Sequence, residues 1–214
     1  MDFDRRVVID TNGMEWVDSP LAGVQRQMLE REGAESGRAT SIVRYATGSA
    51  FSPHVHSGGE EFFVLDGVFS DESGDFGPGM YVRNPVGSKH RPHSVVGCTI
   101  FVKLWQMEPA DQASVRIDTT KERWLQGPAT GITIMPLHQR GTENISLMKW
   151  QPGTKFQEYT RPGGEEIFVI DGAFEDENGK YPKGTWIRNP TGFIHTPASV
   201  KGCTIYVKSG HIPR

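Results

Sequence analysis

Cysteine is scarce in this chain: Cys98 and Cys203 are the only two among 214 residues, so no disulfide framework holds the fold together. There is no Cys-x-x-Cys pair to cradle a metal ion either. Long apolar runs are missing as well, since no stretch approaches the roughly 20 residues that a membrane span needs. The opening "MDFDRRVVIDTNGMEWV" lacks a basic region followed by an apolar one, so the chain is expected to be cytoplasmic, with no membrane partner. Runs of lysine and arginine are absent and the net charge is only -3, which argues against nucleic acid as a partner. No window shows sustained helical periodicity. What remains is ordinary globular composition, 36% hydrophobic, enough to bury the core of one or two domains.

The chain repeats itself. "GGEEFFVLDGVFSDESG" at 58–74 returns as "GGEEIFVIDGAFEDENG" at 163–179, an offset of 105. The match continues from "YVRNPVGSKHRPHSVVGCTIFVK", starting at Tyr81, to "WIRNPTGFIHTPASVKGCTIYVK", starting at Trp186, with about half of the aligned positions identical. Upstream, Trp16, Pro20 and Gly23 pair with Trp124, Pro128 and Gly131 at an offset of 108, so the first copy carries about three extra residues near "REGAESG". Regular patterning lapses in "QMEPADQASV", which places the boundary between modules 1–108 and 109–214. Within each module the strand signals are short ("EEFFVLDG", "MYVRNP", "TIFVKLWQ" and their second copies), and turns such as "DENGK" and "DFGPG" separate them. With 25 glycines and many short strands, an all-β architecture of two antiparallel jelly-roll barrels is expected.

The chemistry concentrates in "PHVHSGGEEFFVLDG" at 53–67. His54 and His56 are two apart, so on an extended strand both imidazoles face the same way, and in a small barrel that side can be the interior. Glu60 follows a Ser-Gly-Gly turn that can swing the chain back, and His90 in "GSKH" is a fourth candidate. Three imidazoles and a carboxylate suit zinc, iron, nickel or manganese, with room left for water or substrate. His93, three residues after His90, is an alternative ligand or a supporting residue.

Gly48, His54, His56, Glu60 and Gly67, followed by "GMYVRNPVGSKH" from Gly79 to His90, resemble both sequence motifs of the cupin superfamily with every signature position filled. The resemblance implies two tandem cupin barrels (double-stranded β-helices), with His54, His56, Glu60 and His90 as ligands of a divalent metal in the first. "GGEEFFVLDGVFSDESG", "YVRNPVGSKHRPHS" and "GCTIFVKLWQ" are more narrowly similar to the cupin domain of the ChrR family of anti-sigma factors. That family points to zinc and to a regulatory or ligand-sensing role in stress-responsive transcription. Its helical sigma-binding domain, with a histidine and Cys-x-x-Cys zinc site, has no counterpart in this sequence, so direct sigma-factor binding is not expected. Similar stand-alone bicupins resemble dioxygenases that cleave diketones, which makes an Fe(II) enzyme acting on a small dicarbonyl compound the alternative. A small-molecule ligand suits both readings, and a homodimer is compatible with either.

The second module departs from this pattern. Tyr159 and Arg161 stand where His54 and His56 would be, while Glu165 and His195 remain, giving a degenerate site expected to hold no metal. Arg161 can pair with Glu165 through a two-pronged guanidinium contact that fills the vacated position, or the half can serve as a carboxylate pocket. Cys98 and Cys203, in matching "GCTI" stretches, read as small buried strand residues. Lys103 with Lys208, and Arg83 with Arg188, recur in both halves as charges of the shared scaffold, although an arginine beside a barrel mouth can also hold an anion.

Overall fold

The computed structural model describes residues 1–33 and 35–213. Every paired strand is antiparallel, and among the described residues no helix is long and apolar enough to cross a membrane. In the first barrel one sheet runs in the order 115–118, 80–84, 60–67, 98–104, 39–45, 24–31, 17–18. Opposite it stand the short strands 49–50, 93–94, 69–71 and 74–76, and the pair 54–55 with 89–90. The second barrel repeats this plan, with its main path 7–10, 185–189, 165–176, 203–209, 143–150, 132–140, 125–126.

The compact units do not coincide with the sequence repeats. One comprises Glu15–Glu122 with Met1, and the other Asp2–Met14 with Arg123–Arg214. The strand Val7–Asp10 therefore completes the second barrel against Thr185–Asn189, while Val115–Asp118 completes the first against Met80–Asn84. Both edge strands share a local sequence, "VVID" and "VRID", at the repeat offset of 108. Repeat boundaries follow sequence similarity, whereas compact units follow strand pairing, and each leading segment pairs in the other unit.

Alternation along the strands sets what faces the interior. Phe62 and Val64 lie in the first core with Phe69, Val82, Cys98 and Ile100, so Glu60, in the same row, is directed into the same barrel. Ile167 and Val169 do the same for Glu165 in the second. Residues of opposite parity turn away. Arg83 there pairs with Glu61 at 3.0 Å and Asp111 at 2.6 Å, and Lys103 donates to Thr40 Oγ1 at 3.0 Å, which makes them charges of the scaffold. Arg188 likewise donates to the Asp2 carbonyl at 2.7 Å, and Lys208 approaches Glu143 at 3.4 Å. Cys98 and Cys203 are buried in the two cores, and burial pushes both thiols up to about 11, away from reactivity.

Beside each cysteine the strands approach closely at a glycine. Gly67, at φ +69°, faces Cys98 just past a register shift, and a β-carbon there would collide with the Gly97 carbonyl oxygen. Gly172 repeats this against Gly202 and Cys203 at φ +73°. Gly67→Ala or Gly172→Ala is expected to destabilise its barrel by about 3 kcal/mol or more, combining left-handed strain with a backbone clash. Gly48→Ala has the same sign of φ but open space around it, so it should cost only about 1–2 kcal/mol. Denaturant midpoints of the three variants check the ranking.

Candidate metal centre

Three of the four first-module histidines, His54, His56 and His90, come together. His54 pairs with His90 across the 54–55 and 89–90 strands, and the turn after His56, closed by Gly59 N–H donating to the His56 carbonyl at 3.2 Å, returns the chain to Glu60. That turn requires its glycines: Gly59 has φ +74°, and a β-carbon on Gly58 would run into the Trp105 ring. Trp105 itself has φ 58°, a conformation that costs a non-glycine residue about 1–3 kcal/mol. The second repeat places Gly210 at the matching position.

Ring centroids of His54, His56 and His90 lie 4.7–4.9 Å apart, each pair nearly perpendicular, and one ligating nitrogen from each falls within 4.8 Å of the others. His56 Nε2 is 2.9 Å from His90 Nε2, and Glu60 Oε2 is 3.4 Å and 3.7 Å from those two nitrogens. Two donors bound about 2.0–2.1 Å from one ion at ordinary angles stand about 3–3.5 Å apart, so these separations suit a shared cation. The tautomers agree: His90 Nδ1 faces Asp71 Oδ2 at 3.1 Å and His54 Nδ1 faces the Ser52 carbonyl at 3.2 Å, leaving each Nε2 to carry the lone pair. Burial lowers the pKa of His56, outweighing Glu60, and favours its neutral form. For His90 burial also opposes charge, but Asp71 and Glu60 outweigh it and raise the pKa.

Supporting residues escape a search for ligands alone. Asn84 donates to Glu60 Oε2 at 2.9 Å, and Arg116, on the strand that completes this barrel, donates to Asn84 Oδ1 at 2.6 Å. The second barrel copies the relay: Asn189 donates to Glu165 at 3.0 Å and Arg6 to Asn189 at 2.9 Å. The recurring "RNP" and the aspartate after each "DG" were the available signals. His93, half-buried and paired with Ala50 and Ser70, is not among the converging rings, and Asp71 makes the supporting contact to His90.

The second site is closed from within. Tyr159 Oη donates to Glu165 at 2.9 Å and 3.2 Å, and His195 Nε2 sits 2.9 Å from Glu165 with its Nδ1 3.3 Å from Asp176. Arg161 does not form the expected two-pronged pair: its nearest approach to Glu165 is 3.9 Å, its side chain is 44% exposed, and it stacks over the Tyr159 ring. The tyrosine hydroxyl reaches the carboxylate first. The interior space beside Tyr159 and Arg161 is about 20 Å³, walled by Ile132, Met148, Trp150 and Phe156, while Arg161 also borders an outer cavity of about 630 Å³. The first barrel, in contrast, opens beside His54, His56 and Glu60 into a cavity of about 440 Å³.

The family model for the ChrR cupin-like domain matches residues 4–108 and again 112–213. The chain belongs to that family. No curated protein matches significantly. Among solved structures, a Nostoc punctiforme protein provisionally assigned as a dioxygenase superposes with a TM-score of 0.81 at 15% identity, over 99% of this chain and 85% of that one. YlbA of E. coli gives 0.74 at 14% identity over 97% and 92%, and oxalate decarboxylase of Bacillus subtilis 0.65 at 11% over 96% and 77%. At such identities the likeness establishes the bicupin fold.

In the second barrel, burial opposes charge on His195, yet hydrogen bonds to Asp176 and Glu165 outweigh it and carry the imidazole up to about 9. Asp176 falls to about 2 for the reciprocal reason, His195 and Tyr181 outweighing burial. A group raised from 6.5 to about 9 on folding stabilises fully below about pH 6.5 and loses that contribution as pH rises through 9. Stability should fall by on the order of 2 kcal/mol across this window. The His195→Gln variant should be less stable at pH 6 and lack this loss, so the difference between the two proteins' melting midpoints should shrink between pH 6 and 9.5.

Proposed function

We propose that the chain is a metal-dependent small-molecule protein in which the first barrel holds one divalent ion and the second is a scaffold. The observation that carries this reading is the asymmetry between barrels. His54, His56 and His90 converge beside an open cavity, with Glu60 close to His56 and His90, whereas Tyr159 and His195 satisfy Glu165 internally. A four-ligand set beside an open cavity supports substrate access, since structural zinc sites are closed. We favour an iron-dependent oxidative enzyme acting on a small dicarbonyl compound.

Bound ferrous iron supplies a Lewis acid for carbonyl oxygens and reactivity toward oxygen. This chain's residues do the rest. Asp71 and the Ser52 carbonyl hold protons at the Nδ1 atoms of His90 and His54, and Asn84 orients Glu60. Trp105 and Phe51 line the cavity. The zinc-holding regulatory reading uses the same four ligands and is supported by membership of the ChrR cupin-like family.

Anaerobically purified protein should contain close to one divalent ion per chain by elemental analysis. His54→Ala, His56→Ala and His90→Ala should lose it, and His93→Ala should keep it. Two ions per chain, or retention by His90→Ala, contradicts the assignment. Oxygen uptake by the iron-loaded protein with small dicarbonyl compounds supports the enzyme, while persistent zinc without uptake supports the sensor.

A further inference from the structure

The cavity that His54 and His56 line is also lined by two arginines, Arg26 and Arg31. Arg26 lies in the same row of its strand as the core residue Val24 and opposite Val43, so its guanidinium projects into the barrel. Its side chain is only 13% exposed. Nη1 and Nη2 fork onto Glu35 at 3.0 Å and 3.2 Å, and the buried Nε has no partner. Arg31 lines the same cavity, and its pKa is lowered by burial and by the neighbouring Arg26, the signature of two crowded cations. Ser41, 2% exposed, presents a buried hydroxyl without a partner to the same space.

Glu35 shows what the Arg26 fork accepts. It is a carboxylate held in bidentate geometry, yet 60% exposed, and exposed pairs of this kind contribute about 0–1 kcal/mol, so a ligand can displace it. In the second repeat the position of Arg26 is taken by Ile134, paired with Met148 as Arg26 is with Val43. The arginine accompanies the open cavity and the histidine cluster.

We infer that the ligand of the first barrel is a small oxo acid, whose carboxylate replaces Glu35 in the fork of Arg26, with Arg31 and Ser41 beside it, while its carbonyl end faces His54, His56 and Glu60. This rests on the metal-dependent reading above and narrows its substrate from a dicarbonyl compound to one that bears a carboxylate. The bidentate fork of Arg26, with its exposed glutamate displaced, selects a carboxylate over its neutral analogue.

The test compares 2,4-dioxopentanoate with acetylacetone, the same diketone without a carboxylate, in anaerobic titrations followed by tryptophan fluorescence, with Trp105 at the cavity as reporter. The metal-loaded protein should bind the acid at least tenfold more tightly. Arg26→Leu should abolish that preference while metal content stays unchanged, and Glu35→Gln should tighten binding of the acid several-fold. Equal affinity for the two probes, or a preference that survives Arg26→Leu, overturns the inference. If Arg26→Leu does not fold, Glu35→Gln decides, and unchanged or weaker binding of the acid overturns it. Elemental analysis of the same samples separates the two readings: a preference for the acid in protein that retains no metal keeps the anion site and removes the metal site.

Discussion

A carboxylate buried at the same place in both barrels, Glu60 in one and Glu165 in the other, is the constraint around which each site is arranged. A charge withdrawn from water must be compensated by hydrogen bonds and a counter-charge, and the two halves meet that requirement differently. Glu165 has an internal cation, since His195 is held charged between it and Asp176, and a tyrosine hydroxyl completes the shell. Around Glu60 the tyrosine is replaced by imidazoles, with His56 and His90 nitrogens 3.4 Å and 3.7 Å from the carboxylate and His54 beside them.

The same asparagine steadies the carboxylate in both halves, and the same kind of arginine steadies the asparagine. These arginines arrive with the leading segments, so the strand that closes each barrel also reaches its site. Arg116 lies on such a strand, whereas Arg6 immediately precedes one. Edge closure and site support are thereby coupled within each unit.

Loss of ligands in the second barrel goes with larger side chains beside the site. Met148 and Trp150 stand where the first barrel has Val43 and Tyr45, and Ile134 stands for Arg26. A substrate needs both a reactive centre and a cavity beside it. In the first barrel a cluster of three histidines stands beside such a cavity.

Much of this was legible in the sequence. An offset that matched whole strands required two similar barrels, alternation directed Glu60 and Glu165 inward, and the His-x-His spacing put two imidazoles on one side, because strand periodicity is a local property of the chain. Other features depend on which strands pair, which local sequence does not specify. "VVID" and "VRID" read as ordinary strands, and only pairing shows that each completes the unit built mainly from the other repeat. Arg161 looked like the natural partner of Glu165 from its spacing, but Tyr159 reaches the carboxylate and leaves the guanidinium at the surface. Arg26 carried no signal at all. Its position in a row of core residues, facing histidines about 30 residues further along the chain, exists only once the barrel has closed.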